Sequence, residues 1–324
     1  MFQWRGKALS LVVTALVLCA QEPPTIRVDV NLVHVIATVK NQSGQLVGTL
    51  RQEDFEVRDN GVPQEIKLFA RQTDQPLSVA LLVDTSGSTA KDLKYEIDSA
   101  AKFLKALLAE GNPEDQVALY EFSYDIKGGT YGRNYAGLER QLRLLHGEAG
   151  TSLYDAVFYA GRDLEARQGR KAMIIVTDGG DTTSTRDLKT ALRQAQMADA
   201  VIYSIVVLPI TNDAGRNIGG EHALEFMAQG TGGRTFYPEV STQLDRTFND
   251  ILTELRTQYL LGFYPRGVAP TQDPFHRLDV AVKTPELRVS SRNGYYGDSV
   301  GGGSSDTHIS VSPERTAPAK KKKL

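Results

Sequence analysis

Four apolar runs, at residues 79–83, 117–122, 173–176 and 201–208, are separated by stretches in which apolar residues recur every three or four positions. A run of that length without polar alternation reads as a strand buried on both faces, and the intervening period reads as amphipathic helix. Leu93, Ile97, Ala101, Leu104 and Leu108 mark the first helix. Leu153 opens a second, over 153–166, and further helices are expected near 185–198, 220–230 and 241–256. Strands alternating with helices make an α/β domain with a doubly wound, mostly parallel sheet.

Two of these runs end in acids. Val79-Ala80-Leu81-Leu82-Val83 leads into Asp84-Thr85-Ser86-Gly87-Ser88, and Met173-Ile174-Ile175-Val176 leads through Thr177 into Asp178-Gly179-Gly180-Asp181. In an open parallel sheet, ligands bind beyond the carboxyl ends of the strands, near a topological switch point. Asp84 and Asp178 both fall on that edge. Thr151, in Gly150-Thr151-Ser152 ahead of a helix, falls on a loop of the same rim. Asp84, Ser86 and Ser88 alternate and offer only hard oxygen donors, a set suited to Mg²⁺ or Mn²⁺ rather than zinc or copper. Gly87 lets the backbone curl so that the oxygens converge. The pentapeptide alone fits equally an aspartate capping the next helix; the other two segments favour the metal.

The set Asp84-x-Ser86-x-Ser88, Thr151 and Asp178 resembles the metal-ion-dependent adhesion site of von Willebrand factor type A domains, over roughly residues 76–256. The flanks are similar to a bacterial family of secreted proteins related to that domain and abundant among acidobacteria. The matching stretches are Asp54-Phe55-Glu56-Val57-Arg58-Asp59-Asn60-Gly61, Gln258-Tyr259-Leu260-Leu261-Gly262-Phe263-Tyr264-Pro265 and Arg292-Asn293-Gly294-Tyr295-Tyr296. The resemblance implies a Rossmann-like domain in which Ser86, Ser88 and Thr151 bind the ion directly. Asp84 and Asp178 would contact it directly or through water, and an Asp or Glu carboxylate of a partner protein would complete the shell. It also implies that the last helix, 241–256, shifts when ligand engages, which here would alter the angle to the strands that follow.

Residues 26–72 and 257–297 have strand character. Asn41-Gln42-Ser43-Gly44 reads as a turn, and Asp59-Asn60-Gly61 as a hairpin joining Phe55-Val57 to Ile66-Phe69. Neither flank alone holds many strands, so the two are expected to pair into one β-sandwich with the α/β domain inserted between them; two separate small β units are the competing layout. The resulting division is a signal peptide at 1–20, an N-terminal β segment at 21–75, the type A domain at 76–256, a C-terminal β segment at 257–297 and a disordered tail at 298–324. The tail ends in Lys320 to Lys323, which read as solvated charge.

Arg5 and Lys7 precede the apolar stretch 8–18 and then Cys19-Ala20-Gln21, the pattern of a secretory signal peptide cleaved near Ala20. The stretch is short for a bilayer span, which takes about 20 residues. Cys19, the only cysteine, offers lipoprotein anchoring as a second route, which bulky Leu18 disfavours. The chain is thus expected to be secreted, periplasmic or on the cell envelope, with membrane contact only if lipidated at Cys19. With 37 basic and 39 acidic residues, the net charge of −2 gives no bulk attraction to nucleic acid.

The enzyme reading finds little. Ser88-Thr89-Ala90-Lys91 matches S-x-x-K but lacks the companion S-D-N and K-T-G elements. None of His34, His146, His222, His276 and His308 has a partner at ligand spacing. Asp155 and Asp181 read as helix caps or dipole partners. The expected function is a non-enzymatic, metal-dependent protein-binding module of the adhesion type. A structural envelope protein that uses its metal for stability alone is the alternative.

Overall fold

The computed structural model describes residues 32–71, 75–87, 93–207, 217–238, 242–268 and 273–297. The expected signal peptide, Cys19, Ser88, Lys91 and the C-terminal tail lie outside them.

The described residues open with β1 (Val33–Lys40), β2 (Phe55–Asp59), β3 (Val62–Gln64) and β4 (Ile66–Arg71). They continue through β5 (Leu77–Asp84), α1 (Leu93–Glu110), β6 (Gln116–Phe122), β7 (Ile126–Gly128), α2 (Tyr135–Arg143) and α3 (Leu153–Glu165). Then come β8 (Arg170–Thr177), α4 (Leu188–Met197), β9 (Ala200–Val206), α5 (Ile218–Thr231), β10 (Arg234–Phe236) and α6 (Thr242–Thr257). They close with β11 (Tyr259–Phe263), β12 (Phe275–Val282), β13 (Arg288–Ser291) and β14 (Gly294–Tyr296).

The central sheet has the order β10-β9-β8-β5-β6-β7, parallel except for the β6–β7 pair. Every residue of β5 is buried, and the pleat divides them between two cores. Leu77, Val79, Leu81 and Val83 pack with α1, α2 and α6 on one face; Ala80 and Leu82 pack with α3, α4 and α5 on the other. Burial on both faces is why these strands carry continuous apolar runs. From β5 the chain steps first to β6 and then back across to β8, so the switch point lies beside β5.

The flanks form two antiparallel sheets, β13-β1-β11-β4 and β14-β12-β2-β3, each built from strands of both flanks. The expected sandwich, with the α/β domain inserted in it, is therefore the observed architecture. Val35, Ala37, Phe55, Val57, Tyr259, Leu261 and Phe263 fill its core. Entry and exit of the α/β domain are neighbours: Arg71 of β4 faces Tyr259 of β11.

The hairpin expectation is corrected in one respect. Asn60 (φ 47°) and Gly61 (φ 81°) do form a tight turn, but it joins β2 to β3 within one sheet. Ile66 to Phe69 belong to β4, in the other sheet against β11. The helix α2 was not anticipated; only Leu138 and Leu142 of it are buried, too few to produce a visible period.

The sandwich and the α/β domain meet through the last flank. Gly232, at the end of α5 with φ +86°, lies so close to Ser291 and Arg292 that a Cβ would sit 2.6 Å from the Ser291 carbonyl carbon. Asn293 accepts from Gln196 Nε2 at 3.0 Å. Buried Gln258 donates to Tyr203 Oη at 3.0 Å. Gln258, Arg292 and Asn293 thus lie at the seam between the two parts.

Candidate metal centre

Asp84 is the last residue of β5 and is fully buried. One carboxylate oxygen accepts from the backbone N–H of Ser86 at 2.8 Å, and the other from Thr177 Oγ1 at 2.6 Å. Burial pushes its carboxyl up to about 6; the bonds from Thr177 and Ser86 oppose that rise, and the nearby charge of Asp178 adds to it. The bond to Ser86 N curls the loop after β5. Thr85 N then reaches Phe122 O at 2.9 Å, and Glu148 N reaches Thr85 O at 2.7 Å.

Those contacts draw the second segment in. Ser86 bridges Glu148 in parallel fashion, three residues before Thr151. Ser152 N donates to Ser123 O at 2.7 Å, and Ser152 Oγ to Tyr124 O at 2.9 Å, which fixes the loop over the end of β6. Tyr124 stands 68% exposed there, an aromatic ring on the open side of the rim.

The third segment follows β8. Val83 and Val176 are register partners, so Asp178 emerges on the same edge as Asp84, half-buried. Thr182 N donates to Thr151 O at 2.8 Å, and Thr151 N to Thr182 Oγ1 at 2.9 Å, tying this loop to the second. Gly220, in the first turn of α5, packs directly on this loop: a Cβ there would sit 2.4 Å from Gly180 Cα and 2.5 Å from Gly180 N.

Asp84, Ser86, Thr151 and Asp178 therefore share the carboxyl edge beside the switch point, while Ser88 lies outside the described residues. Asp181 and Asp155 hold the loops. Asp181 accepts from Tyr154 N at 3.2 Å, in the first turn of α3, and from Ser184. Asp155 accepts from Thr185 N at 2.9 Å, Arg186 N at 3.1 Å and Arg186 Nη1 at 3.0 Å. Burial raises the Asp155 carboxyl, but these bonds outweigh it and hold the group below its usual range. Thr177 was the residue not singled out in advance; a threonine inside a β run reads as strand filler.

The donor set fits a small hard cation. It is all oxygen, it combines carboxylate with hydroxyl, and its buried carboxylate is stabilised as an anion by any positive charge brought close. Among the described residues there is no cluster of three or more His, Cys, Asp or Glu side chains placed to hold a metal ion. Nor is any described helix long and apolar enough to cross a membrane.

Comparison with known proteins adds a family. A model of the von Willebrand factor type A domain matches residues 78–250. No curated protein sequence matches the chain. Among solved structures, the PilB minor pilin from Streptococcus sanguinis aligns at 15% identity and a TM-score of 0.45, covering 57% of this chain and 62% of that one. The vWF domain of the type V pili tip protein Mfa5 from Porphyromonas gingivalis aligns at 15% identity and 0.46, covering 60% and 98%. A von Willebrand factor type A protein from Catenulispora acidiphila aligns at 12% and 0.47, covering 83% and 74%. The chain spans under two thirds of the pilin's length.

Proposed function

The chain belongs to the von Willebrand factor type A domain family, and from that premise we propose that it is a metal-dependent, non-enzymatic protein-binding module of the adhesion type, exported to the cell exterior or envelope. Asp84, Ser86, Ser88, Thr151 and Asp178 would hold Mg²⁺ or Mn²⁺. Two carboxylates only balance the charge of a divalent ion and the other donors are neutral hydroxyls, so the ion stays electrophilic enough to take an Asp or Glu carboxylate from a partner protein. The supporting observation is the convergence of three loops on one rim, with the Asp84 carboxylate buried beneath it.

Calorimetric titration of the chain with Mg²⁺ and Mn²⁺ tests this, beside Asp84→Ala and the milder Thr151→Ala. Saturable one-site binding is expected for the wild type and its loss in Asp84→Ala, with weakening of about tenfold or more in Thr151→Ala. In the presence of metal, a peptide bearing Asp should bind the protein and be released by EDTA, and its Asn counterpart should not bind. Equal metal binding by wild type and Asp84→Ala would remove the site; metal binding without carboxylate capture would leave a structural ion.

A further inference from the structure

At the opposite end of the parallel strands, where the sandwich seats on the α/β domain, the structure encloses a cavity of about 50 Å³. Its wall includes His34 of β1, Arg170 and Lys171 at the start of β8, Asp199 ahead of β9, and Arg292 after β13. An eight-residue strand separates this end from the metal rim by roughly 25 Å. The two sites share no residue.

The wall is unusually cationic for its burial. Arg170 and Arg292 are only 9% and 8% exposed, and such residues are rarely buried without a paired charge. Arg292 reaches Asp199 and the His34 carbonyl through its two terminal nitrogens. Arg170 donates to the Leu255 carbonyl, and no described carboxylate lies within ion-pair distance of it. Lys171 makes one long bond, 3.3 Å, to the Glu165 carbonyl. In the cavity wall these three cations have one carboxylate, Asp199, which Arg292 already engages; Asp115 and Glu165 act on Arg170 and Lys171 only from beyond ion-pair distance.

The hydrogen-bond inventory has gaps at the same place. Arg170 Nε, Arg292 Nε and His34 Nε2 are all buried and have no partner. A buried N–H without an acceptor costs about 1–3 kcal/mol; the two guanidinium Nε–H groups are such donors, and His34 Nε2 stands with them at the same wall. A group that accepts several hydrogen bonds and carries negative charge answers both gaps. Guanidinium groups match the oxygens of carboxylates and phosphates in geometry as well as charge. One water needs about 10–15 Å³ of such space, so the cavity holds a few waters or one small anion and is far too small for a nucleotide.

We propose that this cavity is a binding site for a small oxyanion, phosphate or a simple carboxylate, which pins the sandwich to the α/β domain. The anion would meet β1 from the sandwich and β8 from the central sheet at once. The inference is independent of the metal rim and survives its loss.

The test is thermal unfolding of the whole chain in sodium phosphate, sodium acetate or sodium chloride at matched ionic strength, with metal absent. A saturable rise in Tm is expected with phosphate or acetate and not with chloride; which of the two acts identifies the anion. Lys171→Met, a half-exposed position that need not disturb the fold, should weaken that anion about tenfold by calorimetric titration. Asp84→Ala should leave the effect intact. If Lys171→Met fails to fold, His34→Gln, which changes the wall without removing a permanent charge, serves by the same readout. Equal Tm in all three salts overturns the proposal, as does undiminished anion affinity in the folded variants.

Discussion

Asp155 shows how one carboxylate organises the rim through the loop it ties down. It gathers the backbone N–H groups of Thr185 and Arg186 and the Arg186 guanidinium, and Arg186 in turn lies over the Phe158 ring, 4.1 Å from its centre. Its carboxyl is held below the usual range in the folded chain, so the folded state binds its proton less readily than the unfolded one. That stabilisation is complete above the unfolded pKa of about 3.9 and is lost as pH falls through the lower folded value. Asp155→Asn should therefore cost about 2 kcal/mol near neutral pH. The gap from wild type should narrow below about pH 4, as read from urea unfolding across a pH series. A gap independent of pH would mean that the side chain acts through shape alone. Asp84 and Asp178 were legible at this scale because apolar runs deliver them to the sheet edge. Asp59, His276 and Tyr295 were not. They form a buried network in the sandwich, with His276 Nδ1 2.9 Å from Asp59 and Tyr295 Oη donating to Asp59 at 2.6 Å, yet Asp59 and His276 are 217 positions apart, and no local pattern links them.

Among the elements, legibility followed burial. Strands covered on both faces declared themselves by composition, and the longer helices by period. β3 has half-buried Val62 and buried Gln64 flanking an exposed proline, so it carried no signal, and the hairpin was assigned to the more apolar β4 instead. α6 repays attention as the element that leads from the domain back into the sandwich. Its stripe of Leu244, Phe248, Ile251 and Leu255 packs into the core shared with α1, where the Phe248 and Phe103 rings lie 5.1 Å apart. On another side, buried Glu254 pairs with Lys40 of β1 at 2.7 Å and with Arg234 of β10 at 3.1 Å. The helix is therefore fastened to both parts, which bears on the expectation that it moves when ligand binds: any shift must break or carry along the Lys40 contact. Phe248→Ala should lower stability by about 3–5 kcal/mol in denaturant unfolding. A cost under about 1 kcal/mol would show that α6 is only loosely packed on α1.

For the whole molecule, the interleaving of flanks was inferred from a shortage: neither end of the sequence held enough strands to close a sheet of its own. What could not be inferred was which strands would adjoin, since register follows from pairing partners far apart in the chain. The observed choice has a mechanical meaning. β4 and β11 carry the two connections to the α/β domain from the same end of one sheet, and β11 lies between β4 and β1. Tension applied at the rim draws β11 along its own axis past β1, with which it is paired from Val33–Phe263 to Ala37–Tyr259. Held at Val33, the pair is loaded in shear, and its hydrogen bonds resist together; held at Lys40, it is peeled from one end, and they fail in turn. Single-molecule stretching from the rim should give a higher rupture force with the Val33 handle than with the Lys40 handle, and equal forces would place the weak point elsewhere. A tether anchored through the amino-terminal side of β1 would bear its load in the stronger of these two directions.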